Sequence, residues 1–238
     1  MNKIALIAWR EIRAYFTSWL AYALLAGWLV MVAMPFVLTV KMAQSNFSLS
    51  GIFGNMLVML LLVVPLITMR LVAEERNLGT LELLFTSPIT EWQVAAGKFF
   101  GAWIFVLIML LATSYVPFFA TRYGSIETGP VWGGYIGLAC CGAVFAAYGV
   151  LCSSLTSSQV VAGFLAFGGM IFSWMLAWPA QAMADNSLAV FAGNWSVFMH
   201  AQRMLEGAVD TKDLVFFVTF TVFCLFSTVR VLESRKWN

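Results

Sequence analysis

Long apolar runs alternate with short polar breaks along this chain. Six runs stand out, at approximately 19–40, 52–69, 99–121, 131–152, 159–178 and 214–229. A helix that crosses a membrane needs about 20 apolar residues, within a range of roughly 17–25, so each run predicts a span. The second and sixth runs are short. Each lengthens when Leu71-Val72-Ala73 or Val231-Leu232 is included, with the flanking arginines reaching back to water. The runs are continuous rather than alternating, which excludes transmembrane strands. Pro35, Pro65 and Pro117 fall in spans one, two and three, where each frees a carbonyl and kinks or ends its helix. The expected fold class is an all-α integral membrane protein, one transmembrane domain over residues 1–238.

Residues 3–16 precede the first span. On a helix, Ile4, Ala5, Ala8, Trp9, Ile12, Tyr15 and Phe16 share one face, Lys3, Arg10 and Arg13 share the other, and Leu6 and Ile7 break the pattern. This predicts an amphipathic helix lying in the membrane interface. Charges followed by a full-length span, with no short apolar core and cleavage site, predict no removable signal. With both termini in the cytoplasm, the inside carries nine basic residues: Lys3, Arg10, Arg13, Arg70, Arg76, Lys98, Arg230, Arg235 and Lys236. The outside carries four: Lys41, Arg122, Arg203 and Lys212. That asymmetry satisfies the positive-inside rule. Residues 41–51 and 122–130 become short external loops, and 153–158 (SSLTSS) a cytoplasmic turn. Residues 179–213 become a long external segment, in which Ala189 to Leu205 predicts one or two short helices dipping into the outer leaflet.

One polar insert separates spans two and three, Arg70 to Lys98, with seven charged residues: Arg70, Glu74, Glu75, Arg76, Glu82, Glu91 and Lys98. From Glu74 to Ser87, Leu78, Leu81, Leu84 and Phe85 form an apolar stripe, which predicts a short amphipathic helix. Gly79 interrupts it, and Pro88 disfavours helix at Ser87 and ends it there. Thr90 followed by Gln93 is a capping-box pattern that starts the next helix. Two glycine pairs spaced four apart, Gly97/Gly101 and Gly133/Gly137, predict close helix contacts, read here as packing within one subunit. Ala162, Ala166 and Met170 form one row of span five.

Composition narrows the function classes. Hydrophobic residues are 62% and charged residues 10%, against about 45–50% and 25% in soluble domains. The net charge of +2 is small and its cations are scattered, so nucleic acid is not an expected partner. No charged residue lies inside the six apolar runs, which disfavours a gradient-driven transporter. Cys140, Cys141, Cys152 and Cys224 lack metal-ligand spacing, and His200 is the single histidine, so neither a metal site nor a catalytic residue is expected.

The stretch E-E-R-x-x-G-T-L-E-L-L-x-T-S-P-I-T, Glu74 to Thr90, resembles the cytoplasmic loop of ABC transporter permease subunits. Within the type-2 exporter class it is similar to the gliding-motility-like and nitrous-oxide-accessory-like permeases. Ser153 to Ala162, the segment from His200 through Glu206 to Leu214, and Val229 to Trp237 resemble that family's turn into span five, its entry to span six and its ending. The resemblance implies a permease subunit of an ATP-driven exporter in a bacterial inner membrane. It implies an N-terminal interfacial helix (with Lys3, Trp9, Arg10 and Arg13), six spans, and a re-entrant outer segment bearing His200, Glu206, Gly207, Asp210 and Asp213. A coupling helix between spans two and three would contact the ATPase through Glu74, Glu75, Arg76, Gly79, Thr80, Leu81, Glu82, Leu84, Phe85, Ser87 and Pro88. The implied partners are two ATP-binding subunits, which would hold ATP and Mg, a second permease subunit, identical or related, and membrane lipids. No cofactor is expected on this chain. Two departures are Asn77, where the family often has a second basic residue, and Glu206, where an arginine is common. The alternatives are a membrane scaffold that anchors a cytoplasmic ATPase without transport, and a gradient-driven transporter or channel.

Overall fold

The apolar runs fold as helices packed around one of their number. A computed structural model describes residues 3–42, 49–80, 89–121, 128–178, 191 and 193–236, with only the backbone of Met42, Thr128 and Lys236. The helices are α1 (Lys3–Thr17), α2 (Trp19–Met42), α3 (Leu49–Thr68), α4 (Ala73–Asn77), α5 (Glu91–Ala112), α6 (Tyr115–Ala120), α7 (Thr128–Leu155), α8 (Gln159–Met175), α9 (Val197–Leu205) and α10 (Thr211–Lys236). Among the described residues every regular element is α-helical. Helix α7 is the centre: α3, α5, α8, α9 and α10 all pack on it. Helix α2 stands at the periphery, and α1 packs mainly along α5.

Among the described residues, five helical stretches are long and apolar enough to cross a membrane: Trp19–Lys41, Leu49–Asn77, Glu91–Ala120, Gly129–Leu155 and Thr211–Arg235. The fifth expected span, α8, has 17 residues and is a shorter apolar helix. The third expected span, 99–121, is not one continuous helix. It breaks at Thr113–Ser114 into α5 and α6. Pro117 has no N–H for the carbonyl of Thr113, which accepts instead from the Val116 amide and the Tyr135 hydroxyl, each at 2.9 Å.

The ends of the helices gather at two opposite faces. At one, here called the base, lie α1, α4, the start of α5, and the ends of α7 and α10. At the other, the rim, lie the starts of α3, α7 and α10, the end of α8, and α9. The glycine pairs serve both faces. A Cβ on Gly97 would meet Ile7 Cβ at 2.6 Å and one on Gly101 would meet Glu11 Cβ at 2.7 Å, so α5 seats α1. A Cβ on Gly133 would lie 2.5 Å from the Met204 carbonyl oxygen and one on Gly137 3.0 Å from Met204 Cβ, so α7 seats α9. Ala162, Ala166 and Met170 are buried as one row of α8.

Helix α1 corrects the expected face. Ile7, which breaks the amphipathic pattern, is buried with Ala8 and Tyr15. Trp9 is 67% exposed. The helix therefore has a protein-facing stripe through Ile7, Glu11 and Tyr15, and a separate exposed apolar side carrying Trp9.

Candidate functional site

The capping box at the base is formed as the sequence predicts: the Gln93 amide donates to Thr90 Oγ1 and the Thr90 amide to Gln93 Oε1. Two turns into α5, this start places Lys98 against α1. The Lys98 side chain is fully buried. An ammonium has three protons to place. Its Nζ donates to the Leu71 carbonyl at 2.5 Å and to Glu11 Oε1 at 3.1 Å, and lies 2.8 Å from Glu75 Oε2. That third contact is an ion pair without hydrogen-bond alignment. Arg10 completes the cluster, with its Nη2 at 2.6 Å from Glu75 Oε1 and 3.0 Å from Glu11 Oε1. Two cations thus balance two carboxylates. Burial works against the Arg10 charge, but its hydrogen bond to Glu11 and the nearby Glu75 charge outweigh that and raise its pKa.

The cluster ties three segments together: α1 by Arg10 and Glu11, α4 by Glu75, and α5 by Lys98. A buried ion pair is weak evidence for stability, because desolvation offsets its attraction. Its effect here is geometric. The segment after α3 is pinned a second time by Ser153, whose Oγ accepts from the Val72 and Ala73 amides and donates to the Met69 carbonyl. Tyr15 pins it a third time. Its hydroxyl donates to the Ile67 carbonyl at 2.8 Å, its ring stacks on Phe105, and the Arg70 guanidinium sits 4.8 Å from the ring centroid. Burial, with a smaller push from the Glu11 charge, holds the Tyr15 phenol well above its usual range. Beside these groups opens a cleft of about 500 Å³, lined by Arg10, Tyr15, Arg70, Glu74, Leu78 and Thr80 among others.

The stretch predicted as a helix from Glu74 is interrupted at Gly79, where the sequence places a break. Helix α4 ends at Asn77, because Gly79 takes φ +69°, a left-handed conformation natural to glycine after a helix. Glu74, Glu75 and Arg76 are half-buried, whereas Gly79 and Thr80 are exposed. Leu81, Glu82, Leu84, Phe85, Ser87 and Pro88 lie outside the described residues. Arg235, at the end of α10, donates to the Leu155 carbonyl at 2.7 Å. Lys3 and Arg13 are exposed.

The rim holds a second charged cluster. Asp213 is fully buried. Its Oδ1 lies 2.5 Å from His200 Nδ1 and 2.6 Å from Arg203 Nη2. His200 Nε2 contacts the Asn194 carbonyl at 3.0 Å and its ring stacks on Phe216. These contacts join α9 to the start of α10, and Ser196 Oγ joins it to the Ser173 carbonyl of α8. Helix α9 is the described part of the expected short helices from Ala189. Glu206 and Asp210 are exposed beyond its end, and Gly207 takes φ +93°. No group of three or more potential metal ligands occurs among the described residues.

Sequence reasoning missed Glu11, Tyr15 and Ser153, and gave Lys98 no role beyond a loop charge. One signal was present: Glu11 is the lone acid among the basic residues of α1. Ser153 gave none, being one of four serines in SSLTSS.

No curated protein matches the chain. The arrangement is that of a multi-pass helical membrane domain whose base carries a charge-balanced ionic cluster around the buried Lys98 and whose rim carries a docked short helix. The family model described as ABC-2 family transporter protein matches residues 30–229, from within α2 to within α10, and the chain belongs to that family.

Proposed function

We propose that the chain is the membrane-spanning permease subunit of an ATP-driven exporter, with six spans and both termini in the cytoplasm of a bacterium. In this reading α8 is the fifth span and the base faces the cytoplasm. Two ATP-binding subunits dock below a pair of such permeases, identical or related. They hold ATP and Mg and hydrolyse the nucleotide, and this chain is not itself catalytic. The segment from Glu74 to Pro88 is the coupling element, and α9 belongs to a re-entrant outer segment.

The observation that carries this reading is the cluster of Arg10, Glu11, Glu75 and Lys98. It links the segment after α3 to α1 and α5 through a buried centre. A force applied near residues 74–80 is then shared by two neighbouring helices. The paucity of charge in the spans supports an energy source outside the membrane.

Co-purification of an ATP-binding subunit, followed by ATP-dependent substrate movement in liposomes, tests the reading. Gly79→Pro or Leu81→Asp is expected to leave the protein inserted and to abolish coupled transport. Full ATP-dependent transport in both variants would sink the coupling role. ATPase binding without any substrate-stimulated hydrolysis would favour a scaffold instead.

A further inference from the structure

A cavity of about 330 Å³ opens at the rim between α3, α8 and α9. Its walls differ in chemistry. Ser50, Gly51, Gln202 and Glu206 bring polar groups to the lining, and Trp174 and Phe198 bring aromatic rings. The two rings lie 6.1 Å apart, and Trp178 packs on Trp174 at 5.5 Å, so the apolar wall is aromatic. Among the described residues Glu206 is the single charged one in the lining.

The position of Glu206 works against the helix that bears it. It is the C-cap of α9, where the helix dipole presents its negative end and a cation is the stabilising choice. The terminal carbonyls are already satisfied without it: the Gly207 amide donates to Met204 and the Ala208 amide to Arg203, a Schellman closure with Gly207 in the left-handed region. The carboxylate meets no cation among the described residues. Its backbone is held in place, since Gly133 admits the Met204 carbonyl and Gly207 at distances no side chain would allow. A carboxylate and a helix C-terminus thus add their negative potentials at the mouth of an aromatic cavity.

We propose that this cavity binds an amphipathic organic cation, with its ammonium group at Glu206 and its apolar body against Trp174 and Phe198. Aromatic faces attract cations as well as apolar surface. The body has a path to follow beyond the cavity: Val58 lines it, and Leu62 and Leu66 continue the same exposed strip of α3. The volume sits at the lower end of ligand pockets, roughly 300–1,000 Å³, which suits a small aromatic or short-chain amine. The role of this cavity as a substrate site rests on the permease reading; the binding itself does not.

The test uses the full chain in nanodiscs of neutral lipid, without any ATPase. Benzyltrimethylammonium and its uncharged carbon isostere are titrated, and binding is read from tryptophan fluorescence and by calorimetry. The cation is expected to bind at least about tenfold tighter than the isostere. Glu206→Gln is expected to remove that preference, Glu206→Asp to keep most of it, and Trp174→Leu to weaken both ligands. Equal affinity for cation and isostere, or an unchanged preference in Glu206→Gln, overturns the proposal. Because no ATPase is present, either result is independent of whether the chain works as a permease. Competition by the same cation in the ATP-driven liposome assay reports separately on that.

Discussion

Lys98 Nζ lies 2.8 Å from Glu75 Oε2, across the segment that joins α3 to α5. Glu11 reaches the same ammonium from α1 at 3.1 Å. Removing one member of a buried, compensated cluster leaves the others uncompensated, at a cost of about 3–5 kcal/mol. Lys98→Met is therefore expected to lower the unfolding midpoint in detergent sharply. Glu75→Gln on its own should cost less, because Arg10 and Lys98 keep Glu11. In the double variant the two effects should depart from additivity by about 0.5–3 kcal/mol. Additive losses would show that the residues do not interact.

Ser153 is expected to control the opening of the segment after α3. Ser153→Ala leaves the Val72 and Ala73 amides without their acceptor, at a cost of about 1–3 kcal/mol for unsatisfied buried groups. Hydrogen exchange at residues 71–77 should accelerate, with little change in α8. Unchanged exchange at 71–77 would refute the pin.

Gly133 is expected to be intolerant of any side chain. A Cβ there would lie 2.5 Å from a backbone oxygen of α9, and the helix cannot turn that atom aside. Gly133→Ala should destabilise by about 1–3 kcal/mol, the usual cost of overpacking. Gly27→Ala, with open space around the added carbon, should be neutral or stabilising by about 0.5–1 kcal/mol. Similar midpoints for the two variants would contradict the docking of α9 on α7.

Tyr15 sets a limit at high pH. Its phenol is raised in the folded protein by burial first and by the Glu11 charge second. A raised pKa contributes stability that is fully present below the unfolded value, near 10 for tyrosine. That stability is lost as pH rises from there toward the higher folded pKa. The thermal stability of the native chain should therefore fall above about pH 10. Tyr15→Phe should be less stable at neutral pH through the lost bond to Ile67, and should lack this part of the alkaline decline. An identical alkaline profile would remove Tyr15 as its cause.

Much of the frame was legible because apolar run length and cap chemistry are local. The Thr90–Gln93 box and the starts of α5 and α8 follow from residues within one helical turn. The glycine pairs were legible as contacts but not as to their partners, since a small residue says that something approaches and not what. The partnership of Lys98 with Glu11 spans 87 residues, and no periodicity carries that information. Ile7 breaks the single amphipathic pattern because α1 has two apolar sides, one for protein and one exposed. The break at Thr113 was half-visible in Pro117, but its partner Tyr135 lies on another helix.

Helix α8 has 17 residues, about 25 Å at 1.5 Å per residue, against a hydrocarbon layer of about 30 Å. If it crosses as the fifth span, the lipid beside it must yield to make up the difference, at a fraction of a kcal/mol per ångström. The perimeter of this domain is then uneven. One flank would hold the membrane thin while its neighbours match it, and this single helix would give the chain a preference among bilayers of different acyl length.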